Sequence, residues 1–179
     1  GTEIGELKVI QINNGVDTEK FKFNADVRRE IRQSLGLENK KVIGHIGTFI
    51  PVKNHSFLID VVEQAHLIDP SVRCLLVGGG ALLDDIKTAV KEKNLEEAVI
   101  FMGVCANVNE LLSAMDIFVM PSFYEGLPVS LVEVQTNGLP AVVSDTITKE
   151  VKLQNNIYYM PLSESAESWA KKILGVIDN

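Results

Sequence analysis

Residues 115–145 read MDIFVMPSFYEGLPVSLVEVQTNGLPAVVSD: an apolar run, a break, an amphipathic stretch, a glycine and a second apolar run. IFVMPS (117–122) and AVVSD (141–145) have the length of buried strands. Between them, Pro128 suits the first turn of a helix and Gly138 its C-terminal cap, which predicts a helix over 128–137. Strand, helix and strand in that order form a right-handed crossover joining parallel strands. Between Asp116 and Asp145 the only charges are Glu125 and Glu133, with seven residues between them and no basic residue in the stretch. Glu125 falls in the loop before the predicted helix and Glu133 roughly a turn and a half inside it, so both can face one cleft.

The same alternation extends in both directions. Strand candidates are 42–47, 73–78, 98–103, 117–122, 141–145 and 157–160; helix candidates are 26–35, 55–68, 81–93, 107–115, 128–137 and 164–178. Apolar strands alternating with helices predict an α/β fold: a Rossmann-like three-layer sandwich with a mostly parallel sheet of about six strands. LKVIQI (7–12) is strand-like and NNGVD gives a turn signal, so residues 1–13 are read as a hinge or interdomain strand and 14–179 as one domain.

A chain of 179 residues is the size of one domain. A net charge of −7 argues against a broad nucleic-acid or anionic-membrane surface, although one lysine and a few backbone N–H groups can still bind a small phosphate ligand. The two cysteines, Cys74 and Cys105, do not make a disulfide framework and fit a reducing cytosol. The chain begins at GTEIGELK without methionine, as expected of a processed or excised piece. His45, His55 and His66 lack metal-ligand spacing, the cysteines are not C-x-x-C, and there is no D-x-D, so no metal is expected. Core packing suits His45 and a helix start suits His55.

In parallel sheets ligands bind where strand ends lead into helix starts. Four loops are candidates: GTFIPVKNH (47–55), GGGALL (78–83), GVCANVNE (103–110) and PSFYEGLPVS (121–130). In the first, Gly47 permits close backbone approach and Lys53 is the one cation. In the last, the N–H groups of Val129 and Ser130 are free at a helix start, where an anion can sit, while a carboxylate can accept two hydrogen bonds from a diol. That combination suits a phosphorylated sugar. The plainer reading is that Glu125 only complements the helix dipole, Glu133 faces water and Lys53 is solvated. The glycine triplet lacks the third glycine of a dinucleotide fingerprint, Leu83 standing there, and makes a turn into a helix.

Together the motifs are more specific than any alone. N-G-V-D, the strand and loop with its lysine, L-V-G-G-G, F-M-G, L-L-S-A-M-D-I-F-V-M-P-S, E-G-L-P-V-S-L-V-E and G-L-P-A-V-V-S-D occur in this order. From INNGVDTEKF (12–21) to SAESWAKKIL (165–174) the chain resembles the C-terminal, donor-binding half of family-four retaining glycosyltransferases of the GT-B fold, most closely bacterial capsular and exopolysaccharide members. The resemblance implies that Glu133 holds a nucleotide ribose and that Glu125 lies by the donor sugar at the reaction centre. It implies that Gly47, Thr48, Lys53 and the N–H groups of Val129 and Ser130 form the diphosphate site, and that the base packs near Val104 and Cys105. It implies a UDP-sugar as substrate, a hexose moved to a polysaccharide or lipid-linked acceptor, no metal cofactor, and a cytoplasmic parent enzyme peripheral at the membrane. Family members usually carry arginine where this chain has Thr48, and a hydroxyl does not replace a bidentate guanidinium. The family's N-terminal acceptor-binding half and its final crossing helix are not in this sequence, so half an enzyme is expected. Two alternatives stay open: a non-catalytic nucleotide-sugar-binding module, suggested by Thr48, and a nucleotide-sugar epimerase of the same overall fold, which lacks the paired-glutamate helix pattern.

Overall fold

A computed structural model describes residues 15–179; the strand expected at 7–12 and the hinge over 1–13 lie outside the described residues. Six strands form one sheet: β1 (Lys41–Ile46), β2 (Val72–Val77), β3 (Val99–Gly103), β4 (Ile117–Met120), β5 (Ala141–Ser144) and β6 (Ile157–Met160). Their spatial order is β3-β2-β1-β4-β5-β6 and every pairing is parallel. The helices are α1 (Thr18–Phe21), α2 (Ala25–Ser34), α3 (His55–Ile68), α4 (Leu83–Glu92), α5 (Val108–Ala114), α6 (Val129–Asn137) and α7 (Ala166–Ile177). The expected fold class is therefore observed. The strands and longer helices lie within two residues of their expected bounds. The short α1 and the 3₁₀ turns Pro51–Lys53 and Lys149–Val151 were not anticipated, because a single turn leaves too few residues for a period to show.

Both faces of the sheet are covered, which is why the strands read as continuous apolar runs. Successive side chains alternate between two cores. Ile43, Cys74, Leu76, Ile117, Val119 and Val142 pack with α3, α4 and α7, where Trp169 is fully buried. Val42, Leu75, Val77, Phe118, Met120, Ala141 and Val143 pack with α1, α5 and α6. Strand order reverses between β1 and β4, so the loops leaving these neighbours run into helices on opposite faces and a crevice opens at their carboxyl ends. The two strands pair through Ile43↔Ile117 and Gly44↔Phe118. One residue on, the His45 side chain takes over, its Nδ1–H donating to the Val119 carbonyl at 2.8 Å.

At the opposite end of the sheet Asp116 ties α2 to the strands. Its carboxylate accepts from the Val42 N–H at 2.7 Å and from Arg32, and pairs with Arg28. The two arginines also donate to the carbonyls of Ser113, Ala114 and Met115. Asp116 belongs to the L-L-S-A-M-D stretch of the resemblance, and its place at the amino end of β4 makes it an anchor rather than part of the ligand crevice.

Candidate functional site

Because all six strands are parallel, the loops 47–55, 78–83, 103–110 and 121–130 leave the sheet at one edge. Backbone hydrogen bonds knit them together. Gly47 N–H donates to Val77 O at 2.9 Å, Phe49 N–H to Gly79 O at 3.0 Å and Leu82 N–H to Phe49 O at 3.0 Å, while Gly78 N–H reaches Gly103 O at 2.8 Å. This closeness explains the glycine triplet. Gly78 and Gly80 adopt φ of 137° and 153°, and a Cβ on Gly78 would run into the Gly47 carbonyl, one on Gly80 into the Phe49 backbone at 2.7 Å. The triplet is thus a seat for the first loop, more than the turn the sequence suggested.

The loops after β1 and β4 meet across the crevice. Phe123 N–H donates to Val52 O at 2.9 Å, and the Asn54 side-chain amide to Pro121 O at 3.1 Å. Asn54 ends the 3₁₀ turn and begins α3 in a left-handed conformation with φ 56°, which asparagine tolerates. The turn directs Lys53 toward Glu125, whose Oε1 lies 2.7 Å from its Nζ; the side chains are only 16% and 12% exposed. The stretch 115–145 offered no basic partner for its two glutamates. The fold supplies one for Glu125 from a loop 72 residues earlier. Lys53, expected on a diphosphate, pairs with the Glu125 carboxylate, and the solvated lysine and purely dipolar Glu125 of the plainer reading are not observed.

Pro128 precedes α6 as its cap rather than its first residue, and no side chain caps this end. Leu131 N–H returns to Pro128 O at 3.0 Å, leaving the N–H groups of Val129 and Ser130 without intrahelical acceptors. Gly138 closes the helix with φ 82°, as its position predicted. Glu133 lies one turn further in and is half-buried. Burial raises its carboxyl above the usual carboxylate range, and the Lys20 ammonium of α1 pulls the other way. Lys20 was missed as a neighbour of Glu133; it stands in the NGVDTEKF stretch, but only the docking of α1 on α6 brings it near. Val104 is 86% exposed and its methyl lies 3.1 Å from where a Cβ on Gly79 would be. Cys105 is partly buried, its thiol donating to Met102 O at 3.2 Å, and Thr48 is exposed.

Beneath Lys53 lies an aromatic cluster. His45 and His55 are buried with ring centroids 4.8 Å apart at 83°, Phe49 stacks on His55 at 4.1 Å, and His45 stacks on Phe118. His45 uses Nδ1; among the described residues its Nε2 has no partner and neither does either ring nitrogen of His55. Desolvation pushes His45 down to about 4 despite the Val119 hydrogen bond, and Lys53 adds to the effect. His55 is pushed down to about 3 by desolvation first, then by His45 and Lys53. Both rings are therefore neutral at pH 7. The core role expected of His45 and the helix-start role expected of His55 are both observed. Among the described residues no group of three or more His, Cys, Asp or Glu is arranged to hold a metal.

The site as described has one ion pair at a topological switch point, an uncapped helix start and a half-buried carboxylate, all on one sheet edge. Known proteins share this fold. The chain is 39% identical over 170 residues to the putative glycosyltransferase EpsF of Bacillus subtilis, covering 93% of this chain and 44% of that protein. It is 33% identical over 150 residues to the Escherichia coli UDP-Gal:alpha-D-GlcNAc-diphosphoundecaprenol alpha-1,3-galactosyltransferase, covering 79% of this chain and 38% of the relative. Anabaena HepE, solved in complex with UDP and glucose, superposes with a TM-score of 0.84 at 25% identity, over 94% of this chain and 47% of HepE. The chain thus spans less than half the length of each. The family model described as glycosyl transferases group 1 matches residues 27–179, and the chain belongs to that family.

Proposed function

We propose that the chain is the donor-binding domain of a retaining glycosyltransferase that moves a hexose from a UDP-sugar to a polysaccharide or lipid-linked acceptor, at the cytoplasmic face of a membrane. The observation that carries this reading is the convergence of Lys53, Glu125 and the uncapped start of α6 at the β1/β4 switch point, with Glu133 one turn along the same helix. In this reading Glu133 accepts hydrogen bonds from the ribose diol, and Val104 and Cys105 flank the base. The diphosphate rests on Lys53 and on the N–H groups of Val129 and Ser130, beside Gly47 and Thr48. Glu125 stands by the donor sugar. As the bond from the sugar to the diphosphate breaks, negative charge grows on the leaving group, and the ammonium and the helix N–H groups are placed to offset it without a metal. The UDP and glucose in the HepE complex and the UDP-Gal in the name of the E. coli relative support the choice of donor. The acceptor site belongs, in this proposal, to a second domain facing the same crevice.

Calorimetric titration of the 179-residue chain with nucleoside diphosphates tests the reading. UDP should bind more tightly than ADP or GDP, EDTA should leave the affinity unchanged, and Glu133→Ala should weaken UDP about ten- to a hundredfold, the value of one or two hydrogen bonds to a charged group. Equal UDP affinity in wild type and a folded Glu133→Ala variant removes Glu133 from the ribose role.

A further inference from the structure

The Lys53–Glu125 pair poses a problem for any anionic ligand of this edge. Lys53 is the only lysine or arginine in the four loops, and its ammonium is already within 2.7 Å of a carboxylate. Both side chains are largely withdrawn from water, and among the described residues the only side-chain hydrogen bond either makes is to the other. Their backbones have little freedom, since the Phe123–Val52 and Asn54–Pro121 hydrogen bonds fasten one loop to the other. The aliphatic stem of Lys53 lies over Gly47, its Cδ and Cε 3.5 Å from where a Cβ there would be, and His45 Nε2 is 3.1 Å from the same point.

Resting on the nucleotide-sugar reading, we infer that Glu125 is a built-in competitor of the diphosphate for Lys53. Binding proceeds by exchange: the ammonium leaves Glu125 for the phosphate oxygens, and the carboxylate is released at the same moment. The pair seen here neutralises two partly buried charges that would each be costly alone. In the loaded site the diphosphate neutralises Lys53 alone, and Glu125 is left as an unpaired carboxylate facing the crevice. The neutral histidines below cannot take Lys53's place as cation at pH 7, so the exchange has one ammonium to share. The device ties the reactivity of Glu125 to the presence of donor: without a diphosphate the carboxylate is occupied, and with one it is free to act beside the sugar.

The consequence is that a substitution at the proposed reaction centre should improve ligand binding. Glu125→Gln keeps the side-chain volume and removes the competing charge. It should tighten UDP about three- to tenfold, in the range of a partly screened ion pair, and leave uridine affinity unchanged. Removing a carboxylate also relieves plain repulsion of the diphosphate, so the decisive comparison is made in a Lys53→Met background. There the gain from Glu125→Gln should fall below about twofold, giving a coupling in the double-mutant cycle. Calorimetry of the four 179-residue proteins with UDP and uridine measures this, with Glu125→Ser as a second replacement should the glutamine variant misfold. UDP affinity unchanged or weakened by Glu125→Gln, or a gain that persists in full with Lys53→Met, overturns the exchange while leaving the nucleotide reading intact. If none of the four binds UDP, both fall together.

Discussion

Among the described residues, two buried ring nitrogens of His55 and one of His45 find no partner. A buried polar atom without a hydrogen bond costs stability, so His55→Phe should be neutral or stabilising at pH 7 in a position already stacked on Phe49. The acid side is different. Unfolded histidines take up a proton near pH 6.5, whereas the folded rings wait until about 4 for His45 and about 3 for His55. The unfolded state therefore binds more protons between these values, and stability is fully present above pH 6.5 and lost as pH falls toward 4. The slope is at most about 1.4 kcal/mol per pH unit for each ring. Urea unfolding at pH 7 and pH 5 should show His55→Phe losing about half of the histidine-linked decline; an identical decline in both proteins would place its origin elsewhere. Thr48 gives a second test at this scale. It is exposed beside the first loop's glycine, and Thr48→Arg should tighten UDP over uridine by on the order of 1–2 kcal/mol, less at high salt. An equal response of the two ligands would show that Thr48 does not face the diphosphate. The side-chain chemistry of Thr48, Lys53 and Glu125 was legible in the sequence; the pairing of the last two was not, because residues 72 apart meet only through the sheet.

Among the elements, α6 and the start of β4 divide the work. α6 is held by groups in its C-terminal half. Gln135 is buried, its amide donating to Leu131 O and Val151 O and its carbonyl accepting from Leu153 and Gln154 N–H, while Asn137 donates to Phe21 O and so ties α1 to the helix. These anchors fix the direction in which Glu133 and the free N–H groups point. The Asp116 cluster does the equivalent work for α2, and Asp116→Ala should cost about 2–3 kcal/mol, since two arginines and the Val42 N–H lose a charged partner that is 19% exposed. Chemical denaturation measures the loss, and UDP affinity should stay within twofold of wild type in the folded fraction, because the cluster lies at the far end of the sheet. A large affinity change would contradict that separation. Sequence periodicity found the strands and the long helices, since their apolar patterns run for a turn or more. It missed α1 and the 3₁₀ turns, whose short spans carry no period.

At the scale of the whole molecule, the chain covers 44% of EpsF and 47% of HepE, and in the proposed reading its candidate site is one wall of a crevice. Placing an acceptor hydroxyl near the sugar can account for roughly 7–11 kcal/mol of a barrier, and none of the four loops is needed for it in the proposed reading. On the proposed reading the 179-residue chain is expected to bind a UDP-sugar and release no transferred product, with transfer appearing when an acceptor-binding domain is joined to it. Chromatographic assay with radiolabelled donor checks this; transfer by the 179-residue chain alone, abolished by Glu125→Ala, would overturn it. The sequence by itself determined the α/β class, the parallel sheet and the loops that share its edge, because local apolar periods and the Pro128 and Gly138 helix signals suffice for those. It also marked Gly47, Lys53, Glu125 and Glu133 as candidates. Only the tertiary structure decided that β1 and β4 are neighbours, that the glycine triplet seats the backbone of Phe49, and that Lys53 spends its charge on Glu125. Each depends on strand order and on loops far apart in the chain, and no local pattern encodes a distance between them.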